Sequence, residues 1–196
     1  MRELLARFIG KAQSLRRGYT LVEFIVVVAI VVVMSALILI GHSKFRGNIL
    51  LSNLAYDVGL SIRKAQTYGL GARESTRAGS DFETGYGIRF NIATPTVYLL
   101  FADLDRDFVY DGGNELIETI TLNQGYTVFD FCATNSSGVE SCTLTTLDLI
   151  FDRPEPDAII KSGSTIYASA RIIIQSDQGT QRTITVSASG QIAVSP

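Results

Sequence analysis

Histidine is nearly absent from this chain of 196 residues, where His42 is the only one. There is also no Gly-x-Ser-x-Gly and no Cys/His spacing suited to zinc. Together these absences remove most arrangements by which a nucleophile is activated or a hydrolytic metal is held. His42 stands just past an apolar run, at the level expected for lipid headgroups, and reads as a solvated polar residue. No enzymatic activity is expected. Cysteine is limited to Cys132 and Cys142, a poor metal or catalytic set without a neighbouring imidazole. Proline is missing from Tyr19 to Ser80, so nothing there interrupts a long helix. A basic excess is missing too: Lys and Arg number 17 against 19 Asp and Glu, for a net charge of −2. A nonspecific nucleic-acid surface would require the opposite balance. The chain has no internal repeat and no low-complexity segment.

Charge is wholly absent from Phe24 to Ile40, a run of Phe, Ile, Val, Ala, Met and Leu broken only by Ser35. Counted from Tyr19 to Ile40, at about 1.5 Å of rise per residue, a helix here spans roughly the ~30 Å of a bilayer core. A membrane helix is expected over residues 19–41. Its single charge, Glu23, lies near the N-terminal edge. A carboxylate facing lipid at a helix centre costs on the order of 2.5–3.5 kcal/mol, and less near an interface. An acid in this position calls for a partner. Upstream, Arg2, Arg7, Lys11, Arg16 and Arg17 stand against Glu3 alone. The positive end is expected to stay in the cytoplasm and the more acidic remainder to lie outside.

The junction reads Arg16-Arg-Gly-Tyr-Thr-Leu-Val-Glu-Phe24. Gly18, an aromatic, Thr-Leu and Glu23 at fixed spacing ahead of an apolar run resemble the prepilin signal of type IV pilins and type II secretion pseudopilins. The resemblance covers the first fifth of the chain. It implies cleavage by a prepilin peptidase between Gly18 and Tyr19, removing residues 1–18 as a leader. It also implies N-methylation of Tyr19, where the family usually has Phe, and a role in assembly for Glu23. The new α-amine of Tyr19 is positive near neutral pH. A buried carboxylate is tolerable when an amine meets it, and such a pair sets register as one polar residue does in a coiled coil. The other readings are less apt. A Sec signal needs a shorter core and a small-residue cleavage site, a twin-arginine signal does not accommodate Glu23, and no Cys follows the run for lipidation. A plain signal anchor is the remaining alternative.

Helicity is expected to continue from the membrane to about Tyr68. Leu51, Leu54, Ala55, Val58, Ile62 and Ala65 recur on one helical face, with Asn53, Asp57, Ser61, Arg63 and Lys64 mostly on the others. Residues 42–71 are therefore an amphipathic continuation, with Gly69 and Gly71 as its stop. Residues 72–196 form a β-rich domain opened by a polar loop over Ala72–Gly85. Strands are expected at Tyr86–Ile92, Thr96–Ala102, Leu116–Leu122, Tyr126–Ala133, Thr143–Phe151, Ser164–Ser176, Arg182–Ser187 and Gln191–Val194. Asn123-Gln-Gly125 reads as the turn of a hairpin. The fold class is α+β and pilin-like, a long N-terminal helix packed on a pair of antiparallel sheets. The stretches Leu60–Ala72, Tyr86–Phe90 and Ser189–Ile192 are similar to those of H-type minor pseudopilins and related minor pilins.

Two local features remain. Cys132 and Cys142 flank the polar loop Ala133–Ser141. Outside the cytoplasm they can oxidise, and a disulfide there contributes about 2–3 kcal/mol; the alternative is two reduced thiols. Asp103, Asp105, Asp107 and Asp111 stand at relative positions 1, 3, 5 and 9, the spacing of an EF-hand-like Ca²⁺ loop. The loop departs from that pattern at position 6, which is Phe108, and at position 12, which is Asn114, with Glu115 following. The alternative is an acidic solvated loop.

The resemblance implies a structural subunit of a type IV pilus or type II secretion pseudopilus. It would be a single-pass protein of the bacterial inner membrane, in contact with lipid before assembly. Its partners would be the peptidase, other pilins or pseudopilins through helix packing, and the assembly platform in that membrane. No cofactor is required, Ca²⁺ being the one candidate. The second reading is a tip-located binding module for a surface, a secreted substrate or DNA, with Lys161, Arg171 and Arg182 as its local basis.

Overall fold

The structure, a computed structural model, describes residues 18–71, 84–122 and 125–195, and of residues 39–46 the backbone alone. The leader up to Arg17, the loop expected over Ala72–Gly85 as far as Glu83, and the His42 side chain lie outside the described residues. The chain is α+β and divides into two compact units, Met1–Lys44 and Phe45–Pro196. A single helix, α1 (Leu21–Leu70), contributes to both.

In the first unit, Thr20 starts the helix. Its carbonyl accepts the Phe24 N–H at 3.1 Å and its Oγ1 accepts the Glu23 N–H at 3.2 Å. Thr20 with Glu23 three positions on is the sequence of a capping box. From Leu21 to Ile38 every residue is exposed, and this stretch is long and apolar enough to cross a membrane.

In the second unit the helix buries one stripe. Leu51, Ala55, Val58, Ile62 and Ala65 are fully buried, while Asn53, Asp57, Arg63 and Lys64 are exposed. Burying a large aliphatic side chain is worth roughly 1.5–3 kcal/mol, which anchors this half of α1. The stripe packs into one core with residues of two antiparallel sheets. The first sheet contains β1 (Gly85–Asn91), β2 (Val97–Asp103), β3 (Leu116–Thr121), β6 (Thr146–Phe151), β7 (Ala158–Ser162) and β8 (Thr165–Tyr167), in the order β3-β2-β1-β6-β7-β8. The second contains β4 (Thr127–Thr134), β5 (Glu140–Ser141), β9 (Ser169–Gln175), β10 (Gln181–Ser187) and β11 (Ile192–Ser195), in the order β11-β10-β9-β4-β5. In β9 and β10, Ala170, Ile172, Ile174, Ile184 and Val186 are buried and alternate with less buried neighbours. That is the signature of a sheet with one face on the core.

Polar ties supplement this packing. The hydroxyls of Ser61 and Tyr98 lie 3.0 Å apart. Arg182 Nε donates to Ser52 Oγ at 3.1 Å. Gln66 donates to the carbonyls of Pro156 and Gly190 at 2.9 and 3.1 Å. The Tyr98 phenol titrates above its ordinary value, chiefly because it is buried.

Four details differ from the sequence-based expectation. The segments joined by 123–125 are not a hairpin: β3 is an edge of the first sheet and β4 belongs to the second. β3 has no buried residue, whereas β4 brings Val128, Phe131 and Ala133 to the core. The crossing is held instead by Leu122 N–H to Thr96 O (2.8 Å) and Val128 N–H to Pro95 O (2.7 Å). The run Ser164–Ser176 is two strands that change sheet at Ala168, whose N–H donates to Thr134 O and whose carbonyl accepts from Ala188. Strands β5 and β7 were not expected. Gly69 does not stop the helix, which continues through it to Leu70. It lets α1 approach β6, and a Cβ there would lie 2.2 Å from the Phe151 carbonyl oxygen.

The two buried helix glycines should therefore respond oppositely to alanine. Gly69→Ala is expected to lower the unfolding free energy by about 1–3 kcal/mol through forced displacement of β6. At Gly59 a Cβ meets only Val194 and Ile192 methyls at 3.5 and 3.9 Å. Gly59→Ala is expected to be neutral or to stabilise by up to ~1 kcal/mol. Urea unfolding of the full chain in detergent, followed by circular dichroism, checks both.

Candidate functional site

The N-terminal residues that resemble a prepilin signal are exposed rather than buried. Gly18, Tyr19 and Thr20 precede the helix and are exposed, Tyr19 to 82%. The Gly18–Tyr19 bond thus lies in non-helical chain directly ahead of a capped helix. Glu23 is exposed in the first helical turn, where the helix dipole favours negative charge. Among the described residues, no basic side chain pairs with it.

The second cluster follows β2. Asp103, the last residue of β2, is 1% exposed, and Glu115, which ends a 3₁₀ turn over Gly113–Glu115, is 6% exposed. Asp105, Asp107 and Asp111 are exposed. Ligand oxygens of Asp103, Asp105 and Glu115 lie within 4.8 Å of one another, and so do those of Asp105, Asp107 and Asp111. The four sequence-predicted acids are thus brought together as two triads sharing Asp105, with Glu115 in the buried one. Backbone N–H groups hold these carboxylates. Phe108 donates to Asp103 Oδ2 at 3.1 Å, and Val109 to Asp107 Oδ1 at 2.8 Å. Leu104 and Asp111 donate to the two oxygens of Glu115 at 3.1 and 2.9 Å. Asp103 Oδ1 is buried with no hydrogen-bond partner among the described residues. Burial pushes the Asp103 carboxyl up to about 6; the charges of Asp107 and Glu115 add to this, and the backbone N–H groups of Phe108 and, less, Arg106 oppose it.

An EF-hand template places its last acid at position 12, which is Asn114, and so overlooks Glu115. The missed signal is Gly112-Gly113, whose positive φ values of 89° and 60° turn the chain so that Glu115 reaches Asp103. Phe108 occupies the position usually given to Gly and adopts φ 62°, the left-handed conformation that Gly takes most easily.

Beside this loop, Asp148 on β6 is fully buried and faces Arg89 on β1. The guanidinium lies 3.4 Å from Asp148 Oδ2 and donates to the Tyr110 carbonyl at 2.7 Å. Lys161 donates to the Asp107 carbonyl. Burial pushes the Asp148 carboxyl up to about 7. Arg89 and Lys161 pull it down, and Asp107 and Asp111 push it further up. Neither Arg89 nor Asp148 stood out in the sequence, because a cross-strand pair shows only once register is known.

Cys132 and Cys142 form a disulfide across the β4–β5 hairpin, with Cα atoms 4.0 Å apart. The basic residues considered for a nucleic-acid contact have partners within the protein. Arg171 pairs with Glu140 at 2.7 Å, Arg182 bonds Ser52, and Lys161 bonds the acidic loop. Comparison with protein-family models, with curated proteins and with solved structures gives no match.

The raised Asp148 pKa has a signed consequence. Between its unfolded pKa near 4 and its folded value near 7, the folded state binds more protons than the unfolded one. Stability should therefore fall as pH rises through that window and level off above it. The whole effect is on the order of 2–4 kcal/mol at about 1.4 kcal/mol per pKa unit. In EDTA, Asp148→Asn is expected to flatten most of this slope. Denaturant unfolding at pH 4.5, 6 and 7.5, all about the window set by linkage, reads it out.

Proposed function

We propose that this chain is a minor-pilin-like structural subunit of a type IV pilus or type II secretion pseudopilus. In this reading it waits in the membrane on its apolar helix, loses its leader after Gly18, and enters a filament by helix packing. The observation that carries the reading is the exposed Gly18–Tyr19 bond ahead of a capped helix whose first 18 residues are uncovered and, Glu23 and Ser35 apart, apolar.

The chemistry follows from the surroundings of Glu23. In lipid near the interface its charge can reach headgroups and water. In a bundle of like helices that escape is lost, and an uncompensated carboxylate becomes costly. The α-amine released at Tyr19 on a neighbouring copy supplies the compensating charge. Apolar burial in lipid and in the bundle are nearly equivalent, because lipid tails are as apolar as the side chains. The Glu–amine pair then selects one axial register among otherwise similar packings. The internal pairing of Arg171, Arg182 and Lys161 makes the structural reading preferable to a DNA-binding one.

Glu23→Val and Glu23→Gln test the pairing in a host that carries the assembly machinery. Both variants are expected in the membrane fraction at wild-type level and at less than about one tenth of it in sheared filaments, as for loss of a pair worth 1.4 kcal/mol or more. Incorporation of both variants at the wild-type level would overturn the pairing role.

A further inference from the structure

We propose that the loop from Asp103 to Glu115 is a calcium site, with the ion held between Asp103, Asp105 and Glu115. This inference is independent of the filament reading, since every residue it uses lies within the second unit.

An acidic cluster alone would not carry the assignment. The deciding observation is Asp103 Oδ1, a carboxylate oxygen on a residue 1% exposed, with no hydrogen-bond donor among the described residues. Leaving such an atom unmet is costly, and more so when it is charged. Its carboxylate belongs to the triad whose ligand oxygens lie within 4.8 Å of one another. Oxygens on opposite sides of one Ca²⁺ stand at most about 5 Å apart, twice the 2.3–2.6 Å bond length. One ion can thus reach all three groups.

Glu115 is already oriented for this task. Each of its oxygens accepts one backbone N–H, from Leu104 and from Asp111, and each keeps a second lone-pair direction for the cation. Asp103 is similarly fixed by the Phe108 N–H on its other oxygen. Two of the three ligands are buried and held in place, so little ordering is left to the ion. Asp105 is exposed and closes the open side, where waters complete the six to eight oxygens that calcium takes. Asp107 and Asp111, the outer acids, raise the local negative potential and share Asp105 with the inner triad. The proposal adds Glu115 to the sequence-based set and places Asp107 and Asp111 behind it. Oxygen-only, carboxylate-rich ligation selects a hard cation. A cluster crowded with protein carboxylates suits Ca²⁺ better than Mg²⁺, which keeps several waters in a strict octahedron.

The loop is fastened to the first sheet at two points, Lys161 to the Asp107 carbonyl and Arg89 to the Tyr110 carbonyl. Occupancy should therefore be read as stability of the whole second unit.

The test uses the full chain in detergent, stripped with EDTA and titrated with CaCl₂ in a calorimeter, with thermal unfolding followed by circular dichroism. One ion is expected to bind per chain and to raise the midpoint, by an amount that grows with Ca²⁺ concentration. Glu115→Gln and Asp105→Asn are expected to weaken binding about 10-fold or more, with Asp107→Asn losing less. Asp105 is exposed, so its variant keeps the test informative if Glu115→Gln fails to fold. Absence of both heat and midpoint shift at millimolar Ca²⁺ would overturn the proposal. So would binding unaltered by Asp105→Asn, or binding of Mg²⁺ as tight as that of Ca²⁺.

Discussion

Leu21–Ile38 exposes apolar side chains around the whole helix, and no part of the described protein covers them. At roughly 1.5–3 kcal/mol for each large aliphatic or aromatic side chain, keeping this stretch in water would cost tens of kcal/mol. The stretch is long and apolar enough to cross a bilayer, and in the proposed reading a bilayer or a set of similar helices supplies the burial. These two environments are nearly matched for apolar surface, and under the proposed function one segment uses both in turn. Glu23 is the residue for which they differ, since water and headgroups serve it in one and a paired charge must serve it in the other.

The same helix meets a different requirement further on. From Leu51 to Ala65 its burial is supplied internally, by a narrow stripe of small and branched residues against two sheets. Hydrogen bonds at Ser52, Ser61 and Gln66 hold the flanks, and Gly69 allows backbone-level contact with β6. The sheets in turn carry a polar region within the first sheet, where Arg89, Asp148 and the acidic loop share one network of charges. Burial drives the carboxyls of Asp103 and Asp148 in that network toward protonation, and the proposed cation would favour the charged form.

Much of the helix was legible in the sequence because periodicity and the absence of proline act locally. Leu51, Leu54, Ala55, Val58, Ile62 and Ala65 were identified by spacing alone, and the structure buries five of them fully and leaves Leu54 half-buried against the core. Most strands were also legible, since alternation is local too. Their assignment to sheets was not. Whether 123–125 joins a hairpin or crosses between sheets depends on which core the next strand must fill. A bend at Ala168 leaves no mark in a run of β-favouring residues. At the candidate cation site the acids were visible but their ranking was not. Glu115 comes inward only through the backbone turn at Gly112-Gly113, and Asp103 gains its importance from burial. The Arg89–Asp148 pair depends on strand register, which no local pattern encodes.

The account stands on an α-amine that exists only after cleavage before Tyr19. Mass spectrometry of the protein isolated from filaments or membranes of a host carrying the assembly machinery addresses this directly. The account requires a mature chain that begins at Tyr19 and carries one added N-methyl group. A chain that still contains residues upstream of Tyr19 in the assembled material would contradict it.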